Sequence, residues 1–145
     1  MPFEIRELKE LSAIDVRLWG KVSAADIRSL AAAVIALAKT SGLRRALVDC
    51  RNYLAGAGFA EVLALTREVT ARPAGERGRE AIIAPTDPYA AADLALHVHT
   101  ANSLGETARL FTSREAAVGW LTGSDSDSPT EGSACEAGVS AVEKR

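Results

Sequence analysis

The sequence predicts a single-domain α/β protein, in which a mixed sheet of about five strands is flanked by about four helices. Two stretches, ALV at 46–48 and AIIA at 81–84, are apolar throughout, as strands covered on both faces require. Other segments repeat apolar residues every three or four positions, which is typical of amphipathic helices. An opening hairpin followed by three strand–helix repeats therefore predicts parallel strands joined by right-handed crossovers.

The opening hairpin is predicted from alternation. Residues 3–8 alternate apolar and charged side chains, and residues 14–18 alternate more strictly. The short polar link between them favours antiparallel pairing, and Gly20 is predicted to end the second strand.

Helix boundaries are marked by capping residues and breakers. Ser23, with Asp26 three residues later, predicts a capping box at the start of the first helix, and Gly42 predicts its end. Pro88 is a favourable first residue for the third helix. Ser113 is predicted to cap the last one.

The remaining elements follow from the same periodicities. We predict a helix at 59–70 with Phe59, Val62, Leu63 and Val69 facing inward, an exposed flexible loop at 72–80, a helix from 88 to 103, a strand at 107–112 and a helix ending near 121.

Composition limits the class of protein. The 145 residues are 48% apolar and 25% charged, with a formal net charge of −2, which is ordinary for a globular domain. This charge does not suggest a nucleic-acid surface, which would need a clustered basic face. The segment 122–145 is polar and aperiodic, with five acidic and two basic residues. We therefore expect a folded domain at 1–121 and a disordered or loosely attached tail at 122–145.

No targeting or membrane segment is predicted. Residues 1–10 are charged throughout, and the most apolar run, at 30–38, is too short to span a bilayer. We expect a cytoplasmic protein without stable membrane insertion. Cys50 at a predicted strand end and Cys135 in the tail do not suggest a structural disulfide.

The stretch TARLFTSREAAVGWL, at 107–121, resembles the end of the SpoIIAA-like proteins, which group with STAS and Sec14-type domains. In that family a strand ending in phenylalanine leads through a polar turn into a helix that closes on Trp-Leu. The matching positions are Phe111, Arg114, Glu115, Ala116, Trp120 and Leu121. The upstream LRRALVDCRN resembles the family's central strand, which ends in an aspartate, so that the similarity covers about 3–121.

The resemblance implies a mixed sheet surrounded by helices, no chemistry of its own, and a role in bacterial-style protein association or in binding an apolar ligand. It does not imply the family's serine phosphorylation switch. The equivalent loop reads LAGAG at 54–58, and between Cys50 and Ala60 the one hydroxyl is the phenol of Tyr53.

The loop after the central strand also lacks the usual catalytic motifs. A phosphate-binding P-loop requires a Lys-Ser/Thr pair after its glycines, and a dinucleotide fingerprint requires a third glycine where Glu61 stands. A cysteine phosphatase loop requires an arginine where Gly56 stands. Pairing of Cys50 with His97 or His99 stays open, because nothing in the sequence places them together. We expect no catalytic residue and no cofactor, and interpret Cys50 as a buried structural thiol.

The two histidines do not predict a metal site. His97 and His99 are two apart on a predicted helix, about 200° around its axis, so that they cannot converge on one ion. Asp93 and His97 stand four apart and are predicted to form a surface ion pair.

The loop that follows the central strand is the candidate binding site, since strand ends that lead into helix N-termini are where open α/β sheets bind ligands. Its residues are Asp49, Arg51, Asn52, Tyr53, Leu54, Gly56 and Gly58. Arg51 and Asn52 would act as polar donors, Tyr53 and Leu54 as an apolar tip, and the glycines as clearance. Two readings stay open: an anionic group at the start of the following helix, or a solvated turn in which Asp49 caps local backbone.

Three functions remain open. We favour a non-enzymatic STAS-like interaction module whose partner is another protein or a second copy of the chain. The first alternative is a pocket for a small apolar or lipid-like ligand, lined by the alanine-rich helices. The second is an uncharacterised enzyme.

Phe111 and Trp120 are predicted to pack together, with Trp120 buried against the sheet.

Overall fold

An antiparallel hairpin opens the sheet, as predicted, and three further strands follow it, all parallel to the second strand of the hairpin. The computed structural model describes residues 2–56, 58–71 and 78–123. The elements are β1 (Phe3–Leu8), a 3-10 turn (Lys9–Leu11), β2 (Ala13–Val22), α1 (Ala24–Ser41), β3 (Arg45–Ala55), α2 (Phe59–Val69), β4 (Arg79–Ile83), α3 (Pro88–Ser103), β5 (Thr107–Phe111) and α4 (Arg114–Thr122). The strand order is β1-β2-β3-β4-β5, antiparallel between β1 and β2 and parallel thereafter. The mixed five-stranded sheet with four helices is confirmed.

The predicted helix caps are confirmed. The Ser23 hydroxyl accepts from the Asp26 amide at 3.1 Å, and the Asp26 carboxylate accepts from the Ser23 amide at the same distance, which completes the capping box. Gly42 ends α1 in the left-handed region, at φ 77°. Pro88 is the first residue of α3, and Ser113 accepts from the amide of Ala116 at the start of α4.

The sheet separates two apolar cores. On one face, α1 and α3 pack on the larger core, which is centred on the β2 residues Ile14 and Val16 and on Val48 and Ile82 of the neighbouring strands. On the same side of the sheet, α2 packs against α1 and α3. On the other face, α4 covers a smaller core around Leu47, packing mainly against β3, β4 and β5. The start of β2 also contributes to this core through Ala13, and Arg114 Nη1 of α4 lies 3.9 Å from Oδ1 of the buried Asp15 on β2.

The central strands are longer than predicted. β2 continues through Gly20, which adopts φ 70° without ending the strand. β3 continues from Asp49 to Ala55, because this part pairs with the end of β2 across a bulge between Arg17/Asp49 and Trp19/Asn52. The segment predicted as a loop after Asp49 is therefore mostly strand, and Cys50 lies inside it.

Two other predictions are corrected. Arg79 and Glu80 belong to β4 and not to the predicted 72–80 loop, since both pair with β3. Phe59 does not face inward: it stands in the first turn of α2 and is 60% exposed, whereas Val62 and Leu65 form the buried side of this helix. The loop prediction for 72–77 and the tail prediction beyond 123 lie outside the described residues.

Candidate functional site

The strands β2 to β5 end at one edge of the sheet, here called the carboxyl edge, and the predicted binding residues lie there. Asp49 is buried on the bulged strand β3. Its carboxylate accepts from the Arg51 backbone amide at 3.1 Å, and Arg51 Nη2 lies 2.7 Å from its Oδ2. The hydrogen bonds from Arg51 lower the pKa of Asp49 against the opposing effect of burial. Asp49 thus caps local backbone, and Arg51 is engaged by this carboxylate.

The predicted apolar tip of Tyr53 and Leu54 is wrong for Tyr53. After the bulge, Tyr53 lies opposite Gly20 on the face covered by α1 to α3, and its side chain is 4% exposed. Leu54 lies on the opposite face and is 48% exposed, and Asn52 is also exposed. The alternation of side chains along a strand accounts for this separation.

The two glycines do not provide clearance for a ligand in the way predicted. A Cβ on Gly56 would clash with the carbonyl oxygen of Val22, so this glycine permits close contact with the end of β2. At the start of α2, the Glu61 carboxylate faces the Gly58 amide at 3.4 Å. The chain's own acidic group therefore stands where an external anion was considered.

Exposed apolar side chains gather at the carboxyl edge. Among the described residues, the exposed large apolar side chains are Trp19, Leu54, Phe59, Tyr89 and Leu104. The first four lie near the ends of β2 and β3 or at the starts of α2 and α3, and Leu104 follows α3 at the opposite edge. Sequence reasoning missed three of these as candidate site residues, namely Trp19, Phe59 and Tyr89. Periodicity alone does not show which apolar side chains the neighbouring elements leave uncovered.

A second candidate site lies inside the larger core. A cavity of about 220 Å³ separates the sheet from α1, α2 and α3. Its apolar lining includes Ile14, Val16, Leu30, Ala31, Val34, Val48, Val62, Leu65, Ile82 and Leu94. Its polar lining includes Cys50, Tyr53, Thr66, Glu80, Asp93 and His97. The polar members were missed as a site, although Asp93 and His97 share the helical stripe of the buried Ala90 and Ala101, a signal that the sequence contained.

The predicted ion pair between Asp93 and His97 is not formed, and His97 is held at the wall of the cavity by two other partners. Its Nε2 lies 2.9 Å from Glu80 Oε1, and its Nδ1 lies 3.0 Å from the Thr66 hydroxyl. The Thr66 hydroxyl also donates to the Val62 carbonyl at 2.8 Å. The Thr66 hydroxyl donates its proton to Val62, so it can only accept from Nδ1, and the Glu80 carboxylate can only accept from Nε2. Both ring nitrogens of His97 therefore carry protons.

The charge on His97 agrees with its surroundings. Burial alone would lower the pKa of His97, but the charge and hydrogen bond of Glu80, with a smaller effect of Glu106, raise it above its usual value. The imidazolium and Glu80 form an ion pair at the wall of the cavity.

Asp93 stands one helical turn away without such a partner. The residue is 6% exposed, and its Oδ2 accepts no hydrogen bond from any described residue. Burial, followed by the charge of Asp87, raises the pKa of Asp93. Burial together with the charge of Asp93 raises the pKa of the Tyr53 phenol to about 12. Cys50 is fully buried and its thiol pKa is raised mainly by burial.

Two of the arginines that line the cavity direct their guanidinium groups away from it. Arg45 Nη1 donates to the Leu11 carbonyl at 3.4 Å, and Arg79 Nη1 donates to the Trp120 carbonyl at 3.1 Å. Both acceptors lie on the α4 side of the sheet. Their positive charges therefore do not balance Asp93.

The closing aromatic pair is present, but Trp120 is only half-buried. The rings of Phe111 and Trp120 are 5.5 Å apart between centroids, as the predicted packing requires. The Arg79 guanidinium lies 4.7 Å from the centroid of the Trp120 ring. An arginine therefore covers part of the surface that was predicted to be buried against the sheet.

The described ranges contain no group of three or more His, Cys, Asp or Glu side chains arranged for a metal ion. They also contain no helix whose length and apolar character would allow it to cross a membrane.

These features define an α/β domain with a SpoIIAA-like, STAS-type fold. The chain is similar to a solved structure of an uncharacterised protein of the DUF3478 family, with a SpoIIAA-like fold, from Shewanella loihica PV-4. The identity is 16% over 82% of this chain and 91% of that chain, with a TM-score of 0.55. It is also similar to the Bacillus cell fate determinant SpoIIAA in its phosphorylated form, at 20% identity over 79% of this chain and 95% of that chain, with a TM-score of 0.45. No protein-family model and no curated protein matches the chain. The fold expected from the 107–121 motif is confirmed.

Proposed function

We propose that this STAS-type domain is a non-enzymatic binding protein that holds a small apolar molecule in the cavity between the sheet and α1 to α3. The observation that carries the proposal is the cavity itself. An apolar cavity of about 150 Å³ is enough to bind benzene, and this one has about 220 Å³. A ligand with one ring and a short substituent fits that volume.

Small side chains on the covering helices create the space. Ala31 and Ala38 of α1 line the cavity beside the larger Val34 and Leu30. The cavity also reaches the edge from which β3, β4 and β5 start, where its lining includes Gly78, Glu106 and the exposed Arg44. This edge is a route by which a ligand would enter from solvent.

Filling the cavity tests the proposal. Ala31→Leu introduces a larger side chain into the lining, and the matched control Ala32→Leu introduces the same side chain at the exposed neighbouring position of α1. We expect phenethyl alcohol to raise the thermal midpoint of the parent and of the control, and to have at least roughly tenfold weaker affinity for Ala31→Leu, since about 1.4 kcal/mol of lost contact is tenfold in affinity.

Calorimetric titration of the three proteins measures these affinities directly. Extraction of the purified protein followed by mass spectrometry would identify a molecule that copurifies with it. Equal affinity for Ala31→Leu and for the parent would contradict binding in this cavity.

A second candidate function is supported by the exposed apolar side chains of the carboxyl edge. We propose that Trp19 and Leu54, with Arg51 and Asn52 beside them on β3, contact a partner protein. Apolar side chains next to polar donors are typical of interface centres. Because the segment from Cys50 to Ala60 has no serine or threonine, this contact would operate without a phosphorylation switch there.

The test compares the two edges of the sheet. Trp19→Ser with Leu54→Ser should abolish partner capture in a pull-down and any self-association in sedimentation. Leu104→Ser removes an exposed side chain at the opposite edge and should leave both unchanged. Equal recovery with the double variant would contradict an interface at the carboxyl edge.

The proposal assigns no reaction to the domain. Both nitrogens of His97 are engaged and the Cys50 thiol is held in its protonated form by burial, so neither group is prepared to act as a base or nucleophile. A cytoplasmic location is part of the same proposal.

A further inference from the structure

We propose that the cavity selects apolar molecules that carry an ammonium group, and that Asp93 is the residue that pairs with it. This inference rests on the proposed ligand-binding function and specifies the chemistry of the ligand. Its basis is the arrangement of charges around the cavity.

Asp93 has an unused acceptor inside the cavity. The residue is 6% exposed, so more than nine-tenths of it is buried, and it lines the space between α3 and the sheet. Its Oδ2 has no hydrogen-bond donor within the described ranges. A buried acceptor without a donor destabilises the protein, and a charged acceptor does so more strongly than a neutral one. A ligand that supplies the donor would recover this loss.

The neighbouring side chains do not supply it. His97, one turn along α3, directs its two ring nitrogens to Glu80 and Thr66. Arg45 and Arg79 bind backbone carbonyls on the α4 side of the sheet. The ion pair of His97 with Glu80 is balanced in itself, and we assign the ligand's cation to Asp93 because its Oδ2 has no donor among the described residues.

The sign of this charge discriminates among ligands of equal size. An ammonium group would form a charge-assisted hydrogen bond with Asp93. A hydroxyl would form a weaker neutral one, and a carboxylate would be repelled by Asp93. We therefore expect the affinity to be highest for the ammonium compound, lower for the alcohol and lowest for the carboxylate.

The experiment uses three probes of similar size: phenethylamine, phenethyl alcohol and phenylacetate. Calorimetric titration at pH 7 measures their affinities for the full chain, for Asp93→Asn and for the control Glu115→Gln, which removes an exposed charge from α4. We expect phenethylamine to bind the parent and the control roughly 10-fold or more tightly than phenethyl alcohol, in line with a charge-assisted hydrogen bond. Phenylacetate should bind weakest.

In Asp93→Asn the preference for the amine should disappear, while the affinity for phenethyl alcohol should remain within a factor of about three. Retained alcohol binding also shows that the variant folds with its cavity intact. If Asp93→Asn does not fold, the ranking of the three probes on the parent decides the inference by itself.

Two outcomes separate this inference from the proposed function. Binding of the alcohol without preference for the amine, or a preference that survives in Asp93→Asn, would overturn the role of Asp93 and leave the apolar cavity standing. Failure of all three probes to bind the parent would overturn the proposed function and this inference together.

Discussion

The imidazole of His97 and the carboxylate of Glu80 form an ion pair on the wall of the cavity, with 2.9 Å between Nε2 and Oε1. The two side chains come from α3 and β4, and they remain 19% and 32% exposed, respectively. Thr66 of α2 completes the arrangement by accepting from Nδ1 and donating to the Val62 carbonyl. These three side chains therefore connect α2, α3 and β4 at the wall of the proposed ligand site.

The first prediction concerns the pH dependence of this pair. The pKa of His97 is raised in the folded state, so the pair stabilises the fold fully below the unfolded value of about 6.5. That contribution is lost as the pH rises through the raised folded value. We expect His97→Gln to lower the free energy of unfolding by about 1–3 kcal/mol at pH 6, and by less at pH 9.

Urea denaturation of both proteins across this pH range measures the difference. His99→Gln is the matched control, because His99 is an exposed histidine on the same helix. A difference that stays constant or grows with pH would contradict a charged His97.

The second prediction concerns Asp49 and Arg51 at the bulge of β3. Removing the guanidinium in Arg51→Ala leaves the buried carboxylate with one backbone donor and should lower the free energy of unfolding at pH 7. Asp49 has a lowered pKa in the folded state, so its contribution is present above the unfolded value of about 3.9 and lost as the pH falls through the lowered folded value.

Acid unfolding followed by circular dichroism should therefore begin at a higher pH in Arg51→Ala than in the parent. Lys21→Ala, an exposed charge removed from β2, is the control and should behave as the parent does. If both variants unfold at the same pH as the parent, the Arg51 side chain does not stabilise the bulge.

The third prediction compares the two tryptophans. Trp120→Ala should lower the free energy of unfolding by about 2–3 kcal/mol. The cost is below that of a fully buried aromatic ring because Trp120 is half-buried, packed against Phe111 and covered by Arg79. Trp19→Ala, at an exposed position, should cost less than half as much. Denaturant unfolding measures both, and equal losses would show that Trp120 is no better packed than Trp19.

The fourth prediction concerns the thiol of Cys50. In a Cys135→Ser background, iodoacetamide should not label Cys50 in the folded protein at pH 7, because the residue is fully buried and its raised pKa leaves almost no thiolate. The same reagent should label it fully in denaturant. Rapid labelling of the folded protein, at a rate typical of an activated thiolate, would revive a catalytic reading of this residue.

The burial of Tyr53 determines which variants can test binding at the carboxyl edge. Pairing Arg51→Ala with Tyr53→Ala would not isolate binding, since Tyr53 is part of the larger core and its truncation should destabilise the fold by about 3 kcal/mol or more. Leu54 is the suitable partner for such a variant, because its side chain is exposed on the opposite face of β3.

The sequence by itself determined the order of the elements, the antiparallel hairpin and the helix starts at Ser23, Pro88 and Ser113. These features depend on interactions within a few residues. A cap is formed by a hydroxyl or carboxylate and an amide three residues later, and a buried face follows from the period of the strand or helix. The family resemblance at 107–121 belonged to the same local information.

Tertiary structure decided the path of β3 and the partners of its polar groups. The bulge beyond Asp49 arises from pairing with β2, and it turns Tyr53 into the core while Leu54 stays exposed. Sequence separation hides such pairing from local patterns.

The cavity and its charges depend on contacts that are still more distant in the chain. His97 and Asp93 stand at ion-pairing distance along one helix, yet His97 binds Glu80 and Thr66, which lie 17 and 31 residues away. Which buried carboxylate is paired and which keeps an oxygen without a donor depends on how three helices pack on one sheet. A helical period places a residue on a face, but the packed neighbours determine the partner it finds there.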